Sequence, residues 1–170
     1  MKKHIFIGFF LLLFSTLNAQ DFISDFMSEK DDDSKGMSIS ISGKMLRMSA
    51  ANDPNVDQDF KKLAQNIDKI KMVSGISMDS NDKKRLKKLL LSYEELMIIT
   101  ESAEVVAMYT KEKKGKIIEF VLCIESEDTL VLMNILGNID VNQLSKLAKT
   151  VNISGMEHLE KLDNKSNKHK

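Results

Sequence analysis

The sequence predicts an α+β domain in which an antiparallel sheet ends in a four-strand meander and helices pack on one face. The strongest observation is a series of alternating segments in the C-terminal half, which short polar connectors join as in β-hairpins. Such connectors leave no room for the crossovers that parallel strands need, so a doubly wound parallel fold is disfavoured. The second observation is that apolar residues at helical spacing occur between and after the strands.

The N-terminal half is predicted to combine helices with two strands. Apolar residues recur at helical spacing near Phe22 and again from Val56, whereas Met37, Ile39 and Ile41 alternate strictly with serines. A loop around Pro54, the only proline, separates two of the helices. In chain order, the predicted elements are a helix at 22–27, a strand at 37–42, a helix of one or two turns at 44–51, a helix face from 56 to 67 and a strand at 67–76.

The C-terminal half is predicted to run from one helix through the meander to a last helix. The first of these helices has a leucine-rich inner face, and Ser80 or Asn81 caps it. Asp140 caps the last helix, with Gln143 at the capping-box position. The four strands between them are predicted at 96–100, 104–110, 116–125 and 129–136.

The first residues have the layout of an export signal. Lys2 and Lys3 precede a ten-residue apolar run, and the small residue Ala19 stands before the expected cleavage point. The run is half the length of about 20 residues that a membrane-spanning helix needs. No cysteine follows Ala19 at the cleavage point, so a lipid anchor is not expected and the exported protein should be soluble, in the periplasm or secreted. The predicted organisation is a cleaved signal peptide at 1–19, one domain at 20–163 and a disordered polar tail at 164–170.

Composition excludes several classes of function. The chain has 25 basic and 25 acidic residues, so there is no overall charge to favour nucleic acid. It has no tryptophan and few aromatic residues, which disfavours stacking on bases or sugars. One cysteine and three histidines exclude a disulfide scaffold and leave little for a transition-metal site. We therefore expect no cofactor and no metal.

Individual candidates for chemistry have simpler structural interpretations. His158 lies near the chain end and no G-x-S-x-G segment presents a serine to it, so a surface histidine is favoured over a catalytic one. Cys123 lies among apolar residues of a predicted strand, which indicates a buried residue and not a reactive thiol. The run Asp31–Asp33 lacks the closing glutamate of a calcium loop. No catalytic residue is predicted.

The methionines could supply soft thioether ligands to copper. Only Met45 and Met48 are spaced closely enough to suggest a ligand pair, and methionine commonly fills hydrophobic cores. Core filling is therefore the favoured interpretation.

The helix predicted after residue 80 carries the strongest cluster of charge. A basic face of this kind can contact an anionic membrane surface, but no bulky aromatic residue accompanies it to enter lipid. A solvated outer face is therefore favoured over peripheral membrane contact. The five cations are Lys83, Lys84, Arg85, Lys87 and Lys88.

The strand predicted at 116–125 suggests an interaction face. The side that carries Ile118, Phe120, Leu122 and Ile124 is wholly apolar and should pack under helices. The opposite side mixes apolar and acidic residues, which fits neither a second core layer nor a freely solvated surface. Its members Ile117, Glu119, Val121 and Glu125 form the candidate contact with a partner or a second copy. The alternative is that the helix at 22–27 covers them.

Several segments of turn and core residues carry a resemblance to a known family. They are Tyr93–Met97, Val105–Lys111, Gly115–Val121, Leu136–Asp140 and Leu144–Leu147. In these segments the chain resembles an exported family of the Bacteroidota that is named only as domain of unknown function 4252. The resemblance spans about 22 to 159 and implies a related fold with no assigned activity. Some members look like lipoproteins, and genes for members often neighbour those of envelope-stress sigma factors, which implies a connection with signalling.

These observations favour a non-catalytic exported protein of the cell envelope that acts through protein–protein contacts, in envelope sensing or stress signalling. The expected partner is an unknown envelope protein or a second copy of the chain, and no nucleic acid is expected. The alternative is a periplasmic small-ligand-binding protein or weak hydrolase, which a cavity with convergent polar groups would favour.

Overall fold

The structure is a computed structural model that describes residues 21–30, 36–52, 54, 56–127 and 129–140. Within these ranges every predicted helix and strand is present. The elements are α1 (Phe22–Met27), β1 (Met37–Ser42), α2 (Gly43–Asn52), α3 (Gln58–Asn66), β2 (Ile67–Ser77), α4 (Ser80–Leu90), β3 (Glu94–Glu101), β4 (Glu104–Lys113), β5 (Lys116–Glu125) and β6 (Thr129–Ile139). The signal peptide, the run Asp31–Asp33, the helix expected after Asp140, His158 and the tail at 164–170 lie outside the described residues.

The strands form one six-stranded antiparallel sheet in the order β1-β2-β6-β5-β4-β3. The prediction of an α+β fold with a four-strand meander is confirmed, because β3, β4, β5 and β6 are neighbours in sequence and in space. After the meander, β6 lies beside β2, so the N-terminal strands extend the same sheet. Within this sheet β1 and β3 are the two edges.

The two faces of the sheet pack against different helices. One face carries Phe120 and Leu122, and its cluster includes Leu63 of α3 with Leu46 of α2 packed against it. The other face carries Val121, and its cluster includes residues of α1 and α4. Helices thus cover one face of the sheet as predicted, and a second pair covers the other face as well, in agreement with the near-continuous hydrophobic central strands.

Helix α4 begins earlier than the sequence suggested. Its N-cap is Asp79 and not Ser80 or Asn81, and the Asp79 carboxylate accepts hydrogen bonds from the backbone N–H groups of Asn81 and Asp82 at 2.8 and 2.7 Å. The Asp82 side chain accepts the Asp79 N–H in return at 3.3 Å, which completes a capping box. A carboxylate here also complements the positive end of the helix dipole.

None of the helices in the described part of the chain is long and apolar enough to cross a membrane.

Candidate interaction surface

The predicted interaction face on β5 is covered. Val121 is completely buried and Glu119 nearly so, because Phe22 and Phe26 of α1 pack into the same cluster as Val121. The prediction of an open face is therefore wrong at Glu119 and Val121, and the alternative, coverage by 22–27, is what the structure shows. A short helix suffices because two phenylalanines each remove a large apolar area from water.

A β-bulge explains why Ile117 does not share this face either. In the pairing with β4 the register shifts between Ile117 and Glu119, and Ile118 is the extra residue on β5. As a result, Ile117 packs against the opposite cluster, with Phe120 and Leu122. Ile118, which strict alternation predicted to be buried, is exposed instead.

Glu119 organises a polar cluster beneath the start of α1. Its carboxylate accepts hydrogen bonds from the Phe22 backbone N–H at 3.0 Å, the Asn134 side-chain amide at 2.8 Å and the Tyr93 hydroxyl at 2.9 Å. The Tyr93 ring also makes an edge contact with Phe22, with a centroid distance of 5.3 Å. The acidic residue that seemed unsuited to a core is thus paired with three donors, as a buried carboxyl group requires.

Burial raises the pKa of Tyr93 strongly, and the charge of Glu119 and the hydrogen bond to it act in the same direction. Burial also raises the pKa of Cys123, with a smaller contribution from the charge of Glu125. Cys123 is a free, buried cysteine, so its predicted interior position is confirmed. Both side chains keep their protons at neutral pH and serve packing and hydrogen bonding.

Asp21 fastens α1 to the sheet through β2. It is the N-cap of α1, accepting the Ser24 N–H at 2.9 Å, and its carboxylate pairs with the Lys71 ammonium at 2.7 Å. Burial by itself would raise the pKa of Asp21, but the hydrogen bonds from Lys71 and Ser24 outweigh it and lower the pKa below its ordinary value. Lys69 adds a longer contact at 3.7 Å.

We expect acid to destabilise the protein partly through Asp21. A carboxyl group whose folded-state pKa is lowered stabilises the fold above its unfolded pKa of about 3.9, and this contribution disappears as the pH falls through the folded-state value. Asp21→Asn should therefore cost about 1.5–3 kcal/mol at pH 7, the range for a hydrogen bond to a charged group. The variant should then lose less stability than the wild type between pH 6 and about 3.

Urea unfolding of the wild type and of Asp21→Asn between pH 6 and about 3 measures the difference in their free energies of unfolding. The pKa of nearby Asp25 is raised by burial and by the charges of Asp21 and Glu119, so its protonation acts in the opposite sense in the wild type. If the wild type and the variant lose the same amount of stability as the pH falls, Asp21 does not hold α1.

The basic helix α4 is only partly available to a membrane or an acidic partner. The Arg85 guanidinium donates to the Phe26 backbone oxygen and, at 3.2 Å, to the Glu29 carboxylate, and it lies 4.9 Å from the Phe26 ring centroid. The Lys83 ammonium pairs with the Glu125 carboxylate at 3.3 Å. Glu125, a member of the predicted β5 interaction face, therefore already has a partner within the chain. Arg85 thus joins α4 to α1. The other three predicted cations, Lys84, Lys87 and Lys88, are exposed.

A cleft of about 1030 Å³ lies between α1 and α4. Its lining mixes both signs of charge, and several of these groups pair with one another, including Lys30 with Asp82 at 2.7 Å and Arg85 with Glu29 at 3.2 Å. Among the described residues there is no group of three or more histidine, cysteine, aspartate or glutamate side chains that could hold a metal ion.

The sheet edge β1 and the helix α2 that follows it carry exposed apolar side chains. Met37 is 55% exposed and Ile39 39% exposed on β1, while Met45 and Met48 on α2 are 65% and 54% exposed. The interpretation of methionines as core residues is confirmed for Met108 and Met133 but is wrong for Met45 and Met48. We call these four exposed residues and the free edge of β1 the β1 edge surface.

The other edge strand, β3, is protected against pairing with another chain. It begins with Glu94 and Glu95, ends with Glu101, and has a register shift between Glu95 and Met97. Charged residues and bulges of this kind prevent an edge from pairing with another chain. Strand β1 is MSISIS, with no charge, no proline and no register shift in its pairing with β2. Sequence analysis identified the alternation in β1 but could not show that it lies at an edge, because that depends on long-range strand order.

Comparison with known proteins gives a family but no activity. No curated protein and no solved structure matches this chain. A family model described as domain of unknown function (DUF4252) matches residues 26–147, which is well over half of the sequence and includes the end of α1 and the whole sheet. The chain belongs to the DUF4252 family.

Proposed function

We propose that this protein is a non-catalytic, exported protein of the cell envelope that acts through protein–protein contacts, in envelope sensing or stress signalling. The observation that carries the proposal is the β1 edge surface, an uncharged edge strand flanked by exposed apolar side chains. The signal-peptide pattern at 1–19 and the resemblance to exported proteins of the Bacteroidota support export. The contact is proposed to form by strand addition.

Strand addition follows from the chemistry of a sheet edge. The outer side of β1 presents backbone N–H and C=O groups with no partner strand among the described residues. An extended segment of another protein can pair with such groups, while alternate side chains give specificity. Met37 and Ile39 would supply apolar contacts to the added strand, and Met45 and Met48 would widen the contact, because methionine adapts to differently shaped partners.

A photo-crosslinking amino acid in place of Ile39 tests this proposal in cells. The matched control is the same substitution at Ile98, an exposed isoleucine on the other edge strand, β3. We expect covalent adducts from position 39 and at least several-fold fewer from position 98. Equal yields at the two edges, or no adduct from position 39, would contradict strand addition at β1.

The cleft between α1 and α4 favours one other function, binding of a small ligand by a periplasmic protein. Its volume of about 1030 Å³ reaches the upper end of the range for small-molecule sites. Pairing among its charged groups leaves few convergent polar atoms for a ligand, so we rank this function second. We assign no hydrolytic residue to the cleft.

A further inference from the structure

We propose that the strand added to β1 is β1 of a second copy, so that two molecules form an antiparallel dimer about a two-fold axis at Ile39. This inference rests on the proposed function, since it names the partner of the same surface. The sheets of the two molecules would become continuous through the paired edges.

The sequence of β1 is self-complementary in this arrangement. Residues directly opposite one another in an antiparallel pair point to the same face of the sheet. With Ile39 opposite the same residue of the second copy, Met37 lies opposite Ile41, and Ser38 lies opposite Ser40. All apolar side chains then share one face and all serines the other.

A shift of one residue would destroy this match. Each apolar residue would then lie opposite a serine, and the apolar faces of the two copies would point to opposite sides of the joint sheet. In the proposed register, the apolar side chains of both β1 strands lie on one face of the joint sheet. Within each molecule the same face carries Met72 and Ile70 of β2, which pair with Ile39 and Ile41. Met72 and Ile70 pack against the core cluster beneath α2 and α3, so the dimer would extend an existing apolar layer.

Charge favours pairing of β1 with β1 over the other combinations of edges. Two β3 strands would bring the glutamates at their ends together and would have to accommodate two bulges. Pairing of β1 with β3 is heterologous and leaves a free edge on each molecule, which leads to open chains of molecules. Pairing of β1 with β1 uses the uncharged edge twice and closes after two copies.

Sedimentation velocity of the purified exported protein over a wide range of concentration tests for the dimer. We expect reversible dimerisation in the wild type and in Ile98→Lys, and about tenfold or greater weakening in Ile39→Lys, where two ammonium groups would face each other. Circular dichroism should show that Ile39→Lys remains folded, because Ile39 is exposed in the single molecule. Monomers at every concentration in the wild type would overturn the inference.

Cysteine substitutions test the register. Under mild oxidation Ile39→Cys should form a disulfide-linked dimer, because directly opposite residues have Cβ atoms about 4.5–5.5 Å apart, close to disulfide geometry. Ser38→Cys should not, because its copies would lie diagonally, at about 7–8 Å. Cys123 is buried and provides no competing link. Cross-linking through position 38 and not 39 would overturn the register.

The outcomes separate this inference from the function on which it rests. If the photo-crosslinker at position 39 captures a different protein and the purified chain stays monomeric, the partner is not a second copy but strand addition at β1 stands. If position 39 yields no adduct and the protein stays monomeric, both proposals fail.

Discussion

Val121→Lys is expected to unfold the domain as completely as Leu122→Lys. The two residues are neighbours on β5 and point to opposite faces of the sheet, yet their exposed fractions are 0% and 1%. Each substitution would force an ammonium group into a buried apolar cluster, at a cost of several kcal/mol. A domain of ordinary stability has about 5–15 kcal/mol to lose, so neither variant should keep a cooperative fold.

Ile118→Lys is the matched control for this experiment, because it lies on the same strand but at the exposed bulge position. We expect its midpoint of urea unfolding to stay close to the wild-type value, within the small range of surface substitutions. Circular dichroism and urea titration compare all three variants. A folded Val121→Lys with near-native stability would show that α1 does not cover this face and would restore it as a contact surface.

Glu119→Ala is expected to have the next largest effect, a loss of about 3 kcal/mol or more. The substitution removes the shared acceptor of the Phe22 N–H, the Asn134 amide and the Tyr93 hydroxyl. A buried donor without a partner costs about 1–3 kcal/mol, and the loss of the Phe22 contact also loosens the start of α1. The Asn134 side chain can donate to the Phe120 backbone oxygen at 3.3 Å, which offsets part of the cost.

Two milder variants distinguish the hydrogen bonds of Glu119 from its bulk. Glu119→Gln keeps the size and one accepting oxygen, and Tyr93→Phe removes a single donor, so each should cost less than Glu119→Ala. Denaturant unfolding of the three variants ranks their losses of stability. If Glu119→Gln is as damaging as Glu119→Ala, the negative charge and not the hydrogen-bond geometry holds the cluster.

Local patterns predicted the elements because each depends on residues close together in sequence. Alternation in β1 and β5 and the helical spacing around Phe22 were sufficient to place these segments correctly. The two-residue turn at Lys114 and Gly115, which both have positive φ, is likewise a local feature that matches the twist of the hairpin between β4 and β5.

The candidate site depended on long-range packing, and there the sequence was a poorer guide. A bulge at Ile118 interrupted the alternation on which the predicted β5 face was built. The mixture of apolar and acidic residues on that face arose because Glu119 meets donors from α1, β6 and the segment after α4. No pattern within β5 carries that information. Likewise, the position of β1 at an edge follows from the pairing of β2 with β6.

Hydrogen exchange of the backbone amides in β1 tests most directly the central claim that this protein makes its contacts through the β1 edge. Exchange is measured by mass spectrometry on dilute protein and on the associated form, either the concentrated protein or the protein with its captured partner. We predict slower exchange of 37–42 on association, with no change in 94–101 on the opposite edge. Unchanged exchange in 37–42, or protection confined to 94–101, would contradict the account.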